Sequence, residues 1–106
     1  MEDITVDELK RRQNAAEKLN IVDVREVWEH QENNIGGLNI PMGTVPIRIG
    51  ELESLKEQEI IVYCRTGNRS GRVKQFLQHQ GFDQVRNLLG GIEEYQAPPP
   101  PPVSPS

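Results

Sequence analysis

Four consecutive apolar residues, Ile60-Ile-Val-Tyr63, lead directly into the only cysteine of the chain, Cys64. A half-exposed strand alternates apolar and polar side chains, because successive Cβ atoms point to opposite faces of the sheet. A strand without a polar face must be covered on both sides, and in a small protein that means a parallel-type sheet sandwiched by helices. The rest of the chain fits that plan. Ile21-Val-Asp-Val24 is a second β-branched run, Leu38-Asn-Ile40, stopped by Pro41, a third, and Val85 to Leu88 a fourth. Helical patterns lie between them. Thr5-Val-Asp-Glu8 matches a capping box, and Val6, Leu9, Ala16 and Leu19 leave an apolar stripe on a helix of about 6–18. Val27 to about Gln31 makes one or two turns, and Ile47 to Leu55 a further helix. Ser70–Gln80 places Val73, Phe76 and Leu77 on one face, with Gly81 suited to its C-terminal cap, and Gly91 to Tyr95 closes the pattern. The expected class is α/β: a small parallel sheet with helices on both faces.

A chain of 106 residues builds one small domain that buries about 60–65% of its unfolded surface. Six of the eight prolines lie in Pro98–Ser106, a tract that forms neither ladder nor helix. The expected division is a folded domain over 1–97 and a disordered proline-rich tail over 98–106. Such a tail could dock in an aromatic-lined groove, but a plainly solvated tail is the expectation. No apolar run approaches the roughly 20 residues of a membrane span. The acidic opening Met1-Glu-Asp-Ile-Thr-Val-Asp-Glu-Leu9 is unlike a secretory signal, so the expected location is cytoplasmic. Low aromatic content, 5%, gives no dimer signal and makes a monomer the expectation.

One cysteine excludes an intramolecular disulfide and an all-cysteine metal site. The two histidines, His30 and His79, are too few and too distant for a His-based site, and both are expected to face solvent on helices. Neither metal nor cofactor is expected. The net charge of −4 argues against nucleic acid or an anionic membrane as partner. Its distribution is more informative. Residues 1–59 carry 7 basic and 13 acidic side chains, a net of −6, and residues 83–106 sum to −2. Residues 60–82 carry Arg65, Arg69, Arg72 and Lys74 with no acid, a net of +4 around the only thiol.

In open α/β sheets, ligands bind where strands end at their carboxyl edge and the next helix begins. Cys64 stands at that junction. The helix after the loop directs free N–H groups and its positive dipole end back toward the sulfur, and Arg65 and Arg69 add full charges. Each influence favours thiolate over thiol and lowers a cysteine pKa from about 8.5 toward roughly 3.5–7.5. Gly67 allows successive N–H groups to converge on one point. Thr66, Asn68 and Ser70 are small polar residues able to close the loop by hydrogen bonds. The arrangement suits a sulfur anion carrying one further anionic atom.

The segment Ile61-Val-Tyr-Cys-Arg-Thr-Gly-Asn-Arg-Ser70 resembles the active-site segment of single-domain rhodaneses, the thiosulfate sulfurtransferase family. Ile21-Val-Asp-Val-Arg-Glu26 followed by Ile35-Gly-Gly-Leu-Asn-Ile-Pro41 resembles the family's first signature. Leu89-Gly-Gly-Ile-Glu-Glu-Tyr95 resembles its closing Leu-x-Gly-Gly-Ile-x-x-Trp. Asn33-Asn34 stands where the family has Gly-His, and Tyr95 where it has Trp. The resemblance spans about residues 4–95. It implies a ping-pong sulfur transfer with Cys64 as nucleophile and Arg65, Thr66, Gly67, Asn68 and Arg69 as the substrate-binding loop. Arg65 and Arg69 would orient a small anionic sulfur donor. Asp23, Arg25 and Ser70 would support the loop, although an ordinary surface ion pair worth about 0–1 kcal/mol is an equal reading of Asp23 and Arg25. With no second thiol in the chain, the acceptor is external: cyanide, a thiol or a thiol protein.

Trp28 is expected in the core or over the sheet rather than in a pocket wall. Gly90-Gly91 reads as a tight strand-to-helix turn, since no Gly-Lys-Ser/Thr follows. Two other functional classes fit the same residues. Cell-cycle dual-specificity phosphatases share the rhodanese architecture, but their signature places five residues between Cys and Arg, whereas Arg65-Thr-Gly-Asn68 places four. The shorter loop favours a single sulfur atom over a phosphate ester. A non-catalytic binding or redox-sensing module is the other class, and an exposed thiolate of lowered pKa would oxidise to sulfenic acid.

Overall fold

Ile60–Tyr63 is a strand with all four residues buried, as its composition requires. The computed structural model of the protein describes residues 1–98. The expected proline-rich tail therefore lies outside the described residues from residue 99 onward. In chain order the elements are α1 (Val6–Asn14), β1 (Ile21–Asp23), α2 (Val27–Glu32), β2 (Leu38–Asn39), a 3₁₀ turn (Met42–Thr44), α3 (Val45–Arg48), a 3₁₀ helix (Ile49–Leu55), β3 (Ile60–Tyr63), α4 (Asn68–His79), β4 (Val85–Asn87) and α5 (Gly91–Gln96). The strands form one parallel sheet in the order β2-β1-β3-β4. Each step between consecutive strands is a crossover through a helical segment, which parallel pairing demands. An isolated parallel bridge between Ile4 and Leu88, absent from the sequence reading, ties the start of the chain to the end of β4.

The alternation along β3 decides which side of the sheet holds the cysteine. Ile60, Val62 and Cys64 pack in one buried cluster with Val73, Leu77 and Phe82. Ile61 and Tyr63 pack in the other with Ile4, Leu9 and Ile92. Helix α4 thus covers the face on which Cys64 lies, and α1 and α5 cover the opposite face. Burying each such aliphatic side chain contributes about 1.5–3 kcal/mol, so both faces are held by the hydrophobic effect.

Three helices differ from their expected extents. Helix α1 stops at Asn14 rather than near 18, because Ala16 takes a left-handed φ of 57° and turns the chain back toward the sheet. Its capping box is half made: the Glu8 amide donates to Thr5 Oγ1 at 3.1 Å, while the Glu8 carboxylate accepts from Arg86 instead. The helix expected over Ile47–Leu55 is a short α-helix followed by 3₁₀ turns. Ile49, Leu52 and Leu55 face the core at intervals of three, the repeat of a 3₁₀ helix. Helix α4 begins two residues early, at Asn68. Among the described residues no helix is long and apolar enough to cross a membrane.

Candidate active site

β3 delivers Cys64 to the carboxyl edge of the sheet, and the next three residues turn the chain into α4. Gly67 makes that turn with φ 104°, a conformation that favours glycine. Its amide then donates to Cys64 Sγ at 3.1 Å. The Ser70 amide lies 3.4 Å and the Ser70 hydroxyl 3.2 Å from the same sulfur. Burial pushes the Cys64 thiol up. The amides of Ser70, Gly67 and Thr66 pull it down, and the net position is below the usual thiol value. Cys64 is only 1% exposed. The oxidant-sensing reading needs an exposed thiolate, and the structure corrects that premise: the residue is packed into the core beneath its loop.

The base of the loop is gripped from α5. Ile92 donates its amide to the Cys64 carbonyl at 2.9 Å, and Glu93 to the Arg65 carbonyl at 3.0 Å. Gly90 and Gly91 make the preceding turn with φ 77° and 61°. A Cβ at Gly91 would overlap the carbonyl groups of Arg65 and Cys64, so Gly91 provides close backbone approach.

Asp23 and Arg25 are buried, 0% and 3% exposed, so they are not an ordinary surface ion pair. Asp23 Oδ1 accepts from the Arg25 amide at 2.9 Å, and Oδ2 from Arg25 Nη2 at 2.8 Å. Arg25 Nη2 also donates to the Asn33 carbonyl at 2.7 Å. His30 lies with Nδ1 2.9 Å from Asp23 Oδ2, a correction to its expected solvent-facing role; His79 is exposed as expected. Burial pushes the Asp23 carboxyl up, but the bonds from Arg25 and His30 hold it below the ordinary carboxylate value. Breaking such a buried pair by removing one partner costs about 3–5 kcal/mol. The cluster is joined to the site through register: Asp23 pairs with Tyr63, the residue before Cys64. The Arg25 guanidinium sits 5.6 Å from the centre of the Tyr63 ring. Burial pushes the Tyr63 hydroxyl up to about 12.

The two loop arginines are already engaged. Arg69 donates to both carboxylate oxygens of Glu29 on α2, at 2.7 and 3.0 Å. Arg65 Nε donates to Glu93 at 3.2 Å, an exposed pair. Thr66 and Asn68 are exposed, and among the described hydrogen bonds neither side chain takes part, so they do not close the loop as expected. Trp28 is 62% exposed and shares a surface cleft with Arg65, Glu29 and Glu93. It is neither core nor sheet cover, because α2 is too short and polar to turn that face inward. A larger surface cavity, about 620 Å³, opens between the first turns of α1 and the residues flanking α5, and neither Cys64 nor its loop lines it. Among the described residues no group of three or more His, Cys, Asp or Glu side chains could hold a metal ion.

Three residues at the site escaped the sequence reading. Asn87 bonds the loop from β4, Glu29 holds Arg69 from forty residues away, and Glu93 holds Arg65. No local pattern announces any of them, since each acts only across the tertiary contact.

The model of the rhodanese-like domain family matches residues 5–98. The chain belongs to that family. A sulfurtransferase of Allochromatium vinosum is 35% identical over 91 residues, covering 85% of this chain and 83% of its own. A Bacillus subtilis protein, provisionally named a sulfur carrier, is 34% identical over 94 residues; the alignment takes 88% of this chain but only 50% of that protein. A crystal structure of a Staphylococcus saprophyticus protein superposes with a TM-score of 0.80 at 35% identity, covering 90% of this chain and 93% of the other. The rhodanese-like fold expected from the motifs is the fold observed.

Proposed function

We propose that the protein is a sulfurtransferase that carries a sulfane sulfur as a persulfide on Cys64. The observation that carries this reading is the convergence of the Gly67 and Ser70 amides on the sulfur of the only cysteine. Donors fixed before reaction stabilise developing negative charge without reorganisation, and here the charge resides on sulfur. Relatives that bear the name sulfurtransferase support the same reading.

With thiosulfate as donor, the Cys64 thiolate attacks the outer sulfur. A new S–S bond forms, the old one breaks, and its electron pair leaves with sulfite. The persulfide's terminal sulfur then carries the negative charge under the loop amides. An external nucleophile (cyanide, a thiol or the thiolate of a protein) attacks that terminal sulfur and returns Cys64 as thiolate. Arg65 and Arg69 meet the anionic donor and the leaving sulfite, which requires each to exchange its present carboxylate partner for the substrate. The role of Asp23, Arg25 and Ser70 is support: the buried ion pair fixes the end of β1 beside Tyr63, and Ser70 closes on the sulfur itself.

Intact mass of the protein before and after thiosulfate, and again after cyanide, tests the proposal with Cys64→Ser as control. The expected result is a gain of one sulfur atom that cyanide removes as thiocyanate, with no gain in the variant. A free, reduced Cys64 that gains no sulfur from thiosulfate, polysulfide or persulfidated protein would overturn it.

A further inference from the structure

Asn87 lies at the end of β4, 8% exposed, outside the residues assigned to the site by any motif. Its Nδ2 donates to the Gly67 carbonyl at 3.0 Å, which fixes the orientation of the amide and turns Oδ1 toward α4. There Oδ1 lies 2.6 Å from Ser70 Oγ, and the same Oγ lies 3.2 Å from Cys64 Sγ. A hydroxyl has one proton and cannot donate along both lines at once. The shorter approach to the amide oxygen takes it, leaving a lone pair of Ser70 for the sulfur. A Cys64 thiol can donate its S–H into that lone pair. A thiolate cannot, and it gains the Ser70 proton only if the hydroxyl turns away from Asn87 and leaves a buried amide oxygen without a donor, which is costly.

We infer that Asn87, acting through Ser70, sets the proton affinity of Cys64, holding the resting residue closer to the thiol than the loop amides alone would. Its significance for sulfur transfer rests on the function proposed above. Asn87 is a positioning residue: it touches the loop and Ser70. Charged groups surround this relay without replacing it. From α4, Arg69 interacts electrostatically with Cys64, and Arg65 in the loop is paired with Glu93. From β1 and α2 come Asp23, Arg25 and His30, bonded to one another. Behind Asn87, Asp3 accepts the Asn87 amide at 3.0 Å and is itself paired with Lys74. Among the described residues the Ser70 hydroxyl has only Sγ and Oδ1 within hydrogen-bond distance.

The test is titration of thiolate absorbance against pH, which needs no sulfur donor and so reads out even if sulfur transfer fails. Asn87→Ala frees the hydroxyl and is expected to lower the Cys64 pKa by about one unit, the order of one hydrogen bond to a charged acceptor. The same substitution in a Ser70→Ala background is expected to produce no further shift. Ser70→Ala alone should lower the pKa by no more than about half a unit, because it removes only the lone pair that accepts the weak S–H donor, while the hydroxyl proton is already committed to Asn87. That variant carries the test even if Asn87→Ala does not fold. A rise of a unit or more in Ser70→Ala, no fall in Asn87→Ala, or a fall that persists without the hydroxyl would each overturn the inference.

Discussion

Arg69 leaves the first turn of α4 with its guanidinium bonded through two nitrogens to Glu29. The Glu29 side chain is 13% exposed, and it also accepts the Glu26 amide at 3.1 Å within the capping box of α2. The carboxylate therefore stands on Arg69 much as a small oxyanion would, in the fork geometry that guanidinium offers carboxylates and sulfonates alike. Under the proposed function, an anionic donor has to displace it. Glu29→Gln removes the competing charge and keeps the shape, so KM for thiosulfate should fall about 5-fold or more, the factor for roughly 1 kcal/mol. The turnover rate of a saturated enzyme should change little. Steady-state thiocyanate formation measures both, and an unchanged or higher KM would show that Glu29 serves Arg69 as a support rather than as a competitor.

The elements around the cysteine owe their shape to a few backbone requirements. β3, the loop and α4 are legible in consecutive residues, because an unbroken apolar run, a glycine and a helical stripe each act locally. The grip of α5 on the loop is not: it depends on Gly91, whose absent Cβ lets the Ile92 and Glu93 amides reach the carbonyls of Cys64 and Arg65. Gly91→Ala adds both that overlap and a side chain at φ 61°. It should cost about 2–5 kcal/mol in urea unfolding, the sum of a left-handed and an overpacking penalty. Gly50→Ala meets nothing within 4 Å and should stay within about 0.5 kcal/mol. Equal effects at the two positions would remove the case for Gly91 as a close-approach residue. The segment 47–55 shows the opposite failure of local reading, since its apolar residues fit helical spacing but repeat by three and wind more tightly than an α-helix.

Across the whole molecule, ion pairs link elements far apart in sequence. Arg86 on β4 is bonded to Glu8 on α1 and to Glu59 just before β3, and Glu59 is bonded in turn to Arg12. Hydrogen bonds from Arg86 hold the Glu8 carboxyl, and those from Arg12 and Arg86 the Glu59 carboxyl, below their ordinary value of 4.5. Asp23 is likewise held below its ordinary value of 3.8 despite burial. A group whose folded pKa is depressed stabilises the fold fully above its unfolded value, and that contribution is lost as pH falls through the folded value. The urea midpoint should therefore hold steady from about pH 7 down to about pH 5 and then drop progressively toward about pH 3. A midpoint unchanged over the acid range would mean that these carboxylates titrate alike in the folded and unfolded chains.

Neighbouring residues encode the local part of this architecture. The period of side chains along β1, β3 and α4 specifies a covered parallel sheet, and the order Cys64, Gly67, Ser70 specifies a thiol at a strand-to-helix turn with amides aimed at it. Tertiary structure alone decided which charges meet and what they leave free. Asp23 and Arg25 are buried because β1 is interior in the order β2-β1-β3-β4. Arg69 faces Glu29, and Asn87 faces Ser70, because parallel strands bring the carboxyl ends of β1, β3 and β4 to one edge. Hydrogen bonds and ion pairs act over a few ångströms, so partners 17 to 40 residues apart are chosen by that shared edge and not by spacing along the chain.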